Sequence, residues 1–161
     1  MHEVTLTKEV GWRSSQLTGK GIGPYDGDYA VTREGGVGYI TVRLRNHAQF
    51  SGLSSCPKRP DLERMADCTS EKVPGVGTLS IWRVPTNKGV PPSANSSRES
   101  AIRSPSYSRL ETRVVREDGT TLRIVVYAGI RVAGKQKPPL KTFPLTRNQL
   151  RQLALNPALL P

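Results

Sequence analysis

At 161 residues the chain is about one ordinary domain long and can bury a real core. Hydrophobic residues make up 35% and fall in short runs; the longest, IVVYAGI (124–130), is far below the roughly 20 residues that span a bilayer as a helix. The net charge of +11 is uneven: residues 1–97 hold 12 basic and 9 acidic side chains and residues 98–161 hold 12 and 4, an excess of +8. Such a surface attracts polyanions, whether nucleic acid, anionic lipid headgroups or phosphate-bearing cell-wall polymers.

The start, MHEVTLTKEV, has no positively charged segment followed by an apolar run, so an exported protein would carry its signal or anchor upstream of Met1. Membrane association would then come only through that anchor. Residues 11–36 are rich in turn formers, among them Gly19, Gly21, Gly23, Pro24 and Gly27, and read as loops around one short strand, Tyr29 to Thr32. In VGYITVRL (37–44), Ile40, Val42 and Leu44 alternate with Tyr39, Thr41 and Arg43, which predicts a strand with one wet face. Residues 45–76 hold both cysteines and one short helix near Pro60 to Ala66. In the next strand, GTLSIWRV (77–84), Leu79, Ile81 and Arg83 face one side and Ser80, Trp82 and Val84 the other, so the buried side stays open. Residues 86–106, rich in Pro, Ser and Asn, read as a long mobile loop inside a single domain spanning 1–161.

YSRLETRVVREDGTTLRIVVY (107–127) is a hairpin whose register can be argued. A two-residue loop of Asp118 and Gly119 would set Val114 opposite Arg123 and mix apolar with charged residues on one face. A three-residue loop, Glu117 to Gly119, pairs Val114 with Leu122, Thr112 with Ile124 and Leu110 with Val126, with Gly119 left-handed in a bulged turn. The tail PLTRNQLRQLALNPALLP predicts a helix with Thr146 as N-cap, Gln149 as its capping-box partner, Leu145 and Leu150 as a staple, and Pro157 as the stop. Its stripe of Leu150, Leu153 and Ala154 needs a sheet to cover. The expected fold is α+β: an antiparallel sheet of about five strands packed with a C-terminal helix.

Cys56 and Cys68, the chain's two cysteines, bracket CPKRPDLERMADC. Three readings follow: a disulfide closing a short loop in an oxidising compartment, two free thiols, or part of a metal site for which only His2 and His47 are further ligands. Of other candidates, the Gly19-Gly21-Gly23 run lacks the strand, helix and Lys-Ser/Thr of a phosphate loop, and Asp26 and Asp28 lack the regular oxygen spacing of a calcium site and read as turn residues. His47 with Ser51, Ser54 or Ser55 has no nucleophile motif around it. No cofactor or metal is expected.

The hairpin register supplies the sharper constellation. It sets Arg113 opposite Arg123 and Arg109 opposite Tyr127 on the wet face, with Arg43 on that face of a third strand. Like charges facing each other are unfavourable, and Glu111, diagonal to Arg123, suits a surface ion-pair cluster. The alternative is an anion-binding face of Arg43, Arg109, Arg113 and Arg123 with Tyr39, Tyr107 and Tyr127, fitted to an anionic polymer or acidic protein.

The stretches ADCTSEKVPGVGTLSIWR, REDGTTLRIVVYAG and PLTRNQLRQLALNP resemble exported or membrane-anchored actinobacterial (Streptomyces-type) proteins of unknown function. The resemblance implies an extracytoplasmic domain and transfers no active site. The expectation is a non-enzymatic extracytoplasmic sensor, regulatory or binding domain. The competing one is a cytoplasmic nucleic-acid-binding protein that uses the Arg/Tyr face.

Overall fold

The structure, a computed structural model, describes residues 5–9, 23–46, 56, 66–84, 109–129 and 138–160. Period-2 alternation folds into one antiparallel sheet, whose strands are β1 (Thr5–Glu9), β2 (Gly27–Arg33), β3 (Gly36–Arg45), β4 (Ala66–Val73), β5 (Gly77–Val84), β6 (Arg109–Arg116) and β7 (Thr121–Tyr127). Their order across the sheet is β1-β2-β3-β7-β6-β5-β4, so the hairpin of β6 and β7 sits in the centre. Among the described residues one α-helix, α1 (Arg147–Ala154), follows. The arrangement is α+β, as expected.

The sheet exceeds the five strands expected, because β1 and β4 form its two edges. Edge strands pair on one side only and need little apolar content, which is why ADCTSEKV, exposed along most of its length, gives no alternation to read. The helix expected near Pro60 to Ala66 and the loop 86–106 lie outside the described residues, apart from Ala66, which opens β4.

Local chemistry closes the turns. Between β2 and β3, Glu34 (φ 52°) and Gly35 (φ 77°) form a two-residue left-handed turn. Between β6 and β7 the loop is the three-residue one: Val114 pairs with Leu122, Thr112 with Ile124 and Leu110 with Val126, while Gly119 takes φ 83°. The Arg116 N–H donates to Thr120 O at 2.9 Å, and the Thr120 N–H to Asp118 Oδ1 at 2.8 Å.

One sheet face is apolar. Ile40, Val42, Leu79, Ile81, Val114, Leu122, Ile124 and Val126 point to it and are closed over by Leu150, Ala154 and Leu159. The helix that brings them is capped as its sequence dictates: the Gln149 N–H donates to Thr146 Oγ1 (3.2 Å) and the Thr146 N–H to Gln149 Oε1 (2.9 Å). Arg147 fastens its first turn to the sheet by donating to Ile81 O (2.8 Å), Asp67 O (2.5 Å) and Thr69 Oγ1 (2.9 Å). No helix among the described residues is long and apolar enough to cross a membrane.

The opposite face differs from the wet surface expected of it. Thr41, Arg45, Ser80, Trp82, Glu111, Thr121 and Val125 are all buried there, so β5 buries both its faces. Alternation tells polar from apolar side chains; it does not tell covered from uncovered. Polar side chains can be covered when they satisfy one another, as Thr41 does with Asp28 and Ser80 with Ser70.

Candidate functional site

Cys56 and Cys68 form a disulfide with their Cα atoms 5.8 Å apart, so the pair is neither two free thiols nor half of a metal site. The bond reaches the sheet at a β-bulge, where the register of β4 on β5 shifts between Ala66 and Thr69. Asp67 turns through φ 53° inside the bulge, and its carbonyl is the one that Arg147 takes up. Ser70 ties the staple in further: its Oγ accepts from the Cys56 N–H (2.8 Å), lies 3.3 Å from Cys56 Sγ and shares a 2.7 Å hydrogen bond with Ser80 Oγ.

Next to that serine pair the polar face carries a grid across β3, β7 and β6. Strand pairing lines up Tyr39, Tyr127 and Arg109 in one row, Thr41, Val125 and Glu111 in the next, and Arg43, Arg123 and Arg113 in the third. Directly opposed residues stand about 5 Å apart at Cβ, so three guanidinium stems are brought side by side. The register argued from the hairpin assembles Arg109, Arg113, Arg123 and Tyr127 on one face, and the pairing of β3 with β7 adds Arg43 and Tyr39. Tyr107 lies outside the described residues.

Two carboxylates enter this grid. Asp28, on β2 opposite Thr41, accepts from Arg43 Nη2 at both carboxylate oxygens, 3.0 Å each, and from Thr41 Oγ1 at 2.9 Å. Glu111 accepts from Arg109 Nε at 2.6 Å and, diagonally across to β7, from Arg123 Nη2 at 3.1 Å. Further along β3, Arg45 Nη1 donates to Asp26 Oδ2 (3.1 Å) while Asp26 Oδ1 accepts the Leu44 N–H (2.9 Å). The bland reading of the constellation, an ion-pair cluster, is thus present, with its carboxylates Asp28 and Glu111 covered and the Arg109 and Arg123 side chains each more than a quarter exposed.

Electrostatics follow from that cover. Burial alone would raise the Glu111 carboxyl, but the guanidiniums of Arg123 and Arg109 outweigh it and hold its pKa below the ordinary value. Arg113 is pushed down to about 10, chiefly by burial and then by the charge of Arg123 beside it, with Glu111 pulling the other way. Its guanidinium stands over the Trp82 ring, 5.3 Å from the centroid. The Nε of Arg123 is buried with no hydrogen-bond acceptor.

Sequence reasoning missed Trp82 and both aspartates as members of this face. Strand parity places Trp82 beside Ser80, but only the β5–β6 register, Trp82 opposite Glu111, brings it to the arginines. Asp26 and Asp28 sit in a turn-rich stretch, which hides that Asp28 is in β2 rather than in a turn. Of the other candidates, Gly19, Gly21, His2, His47, Ser51, Ser54 and Ser55 lie outside the described residues, which hold no cluster of three His, Cys, Asp or Glu side chains fit for a metal. Comparison of the chain with protein-family models, curated proteins and solved structures finds no match.

Proposed function

We propose that the chain is a non-enzymatic extracytoplasmic binding domain of the exported actinobacterial kind its motifs resemble, and that its arginine face takes an anionic ligand. The observation that carries the reading is a stoichiometry: Arg109 and Arg123 share the single carboxylate of Glu111, and both arginine side chains stay partly open to water, at 29% and 28% exposure. Two cations over one anion leave positive charge at an accessible place, next to a third arginine. The disulfide is compatible with an oxidising compartment.

A titration with tripolyphosphate at low salt tests the reading. Binding should weaken linearly on a log–log plot against salt concentration and drop on Arg109→Gln. Silence from tripolyphosphate, an acidic peptide and oligonucleotides alike at low salt would sink it. A preference for single-stranded oligonucleotides over tripolyphosphate at equal charge would move the assignment to the nucleic-acid alternative.

A further inference from the structure

We propose that Glu111 is a built-in competitor for the anion site, so that the face admits multiply charged phosphate oxyanions and turns away singly charged ones. The proposal deepens the reading of this face as an anion site and rests on it. Its basis is the contrast in access around one carboxylate. Glu111 is shielded, at 4% side-chain exposure, while the side chains of the two arginines that grip it are each more than a quarter exposed. An anion arriving from solvent meets the outer edges of Arg109 and Arg123, whose inner edges already hold a carboxylate at 2.6 and 3.1 Å.

The consequence is a threshold on ligand charge. A monoanion that displaces Glu111 swaps one charge-assisted pair for another of the same kind and must also leave a shielded carboxylate without its donors, so it gains nothing. A polyphosphate carries more than one charge, so it can engage Arg109 and Arg123 from outside without evicting Glu111. The closed pair on β2 and β3 offers no such foothold. Asp28 and Arg43 are at 6% and 12% exposure, and both oxygens of the carboxylate are taken up by the one guanidinium.

Calorimetric titration of the wild-type protein and of Glu111→Gln with orthophosphate and with tripolyphosphate at about pH 5.5, where orthophosphate is chiefly the monoanion while tripolyphosphate still carries several charges, tests this. The wild type should bind tripolyphosphate and leave orthophosphate unbound at millimolar concentration. Glu111→Gln should bind tripolyphosphate about tenfold more tightly, as removal of one adjacent like charge requires, and should acquire orthophosphate binding. A folded Glu111→Gln with unchanged or weaker affinity for tripolyphosphate overturns the competitor role and leaves the anion site standing. Absence of tripolyphosphate binding in both proteins removes the site itself and the proposal with it. If Glu111→Gln fails to fold, the side-chain Nε–H resonances of the wild type decide: tripolyphosphate should move those of Arg109 and Arg123 and leave that of Arg43 in place. Saturable binding that leaves Arg109 and Arg123 unmoved overturns the proposal.

Discussion

On one face of the sheet, the ion pairs of β2 and β3 differ from those of β6 and β7 in both stoichiometry and access to water. Arg43 has Asp28 and Arg45 has Asp26, so each guanidinium meets a carboxylate of its own. Arg109 and Arg123 divide Glu111 between them. The first pairs are shut in and the second cluster is open on its cationic side. Charge that is matched and covered holds two strands together; charge that is unmatched and reachable is available to a ligand. A stripe of arginines in a sequence therefore means different things at its two ends, and which end binds is decided by where the acids fall in the strand register.

The comparison breaks most easily at Asp28. Removing one member of a shut-in ion pair leaves the other charged and poorly hydrated, so Asp28→Ala should lower stability by about 3–5 kcal/mol in urea denaturation. At Glu111 water can reach the orphaned guanidiniums, and Glu111→Gln should cost roughly 1–2 kcal/mol. Equal losses at the two sites would show that the difference in cover has no energetic meaning. Between these in size stands the disulfide, whose loss in a Cys56→Ser, Cys68→Ser double variant should lower stability by about 3 kcal/mol on the chain-entropy account. Because the staple is fixed at the bulge of edge strand β4, two strands away from β6, tripolyphosphate affinity should change less than about twofold in that variant. A collapse of binding with the fold intact would make the staple part of the site.

Much of this was readable in the chain. Gly119 and the apolar pairs flanking it gave the central register, and that register alone set Arg113 against Arg123 and placed Glu111 diagonal to Arg123. Thr146, Gln149 and Leu150 gave the helix, its cap and its buried side. What escaped has one cause in common, which is that it depends on contacts distant in sequence. β4 owes its place to pairing with β5, its own side chains being polar and exposed. Trp82 reaches Arg113 only through the packing of β5 on β6, and Asp28 reaches Arg43 only because β2 lies on β3. The covering of the polar face escaped for a different reason. Thr41, Ser80 and Glu111 look like solvent-facing residues one at a time, and their burial is tolerable only because they pair.

The smallest effect is also the one that isolates the open cluster by its proton chemistry. Glu111 has a folded-state pKa below its ordinary value of 4.5, because Arg123 and Arg109 outweigh the burial that would raise it. A depressed carboxyl contributes stability that is fully present above its unfolded pKa and is lost as pH falls through the folded one. The stability advantage of wild type over Glu111→Gln should therefore be flat from neutrality down to about pH 5 and shrink below pH 4.5 as the carboxylate takes up its proton. The salt dependence should run in parallel, since guanidiniums that water reaches are guanidiniums that counterions reach: the advantage should be smaller at about 0.5 M than at 0.05 M sodium chloride. Denaturation of the two proteins side by side across pH 2.5 to 7 reads both. An advantage that persists undiminished to the acid end would mean that Glu111 is held by packing rather than by its two arginines, and the distinction between a closed and an open cluster would fall with it.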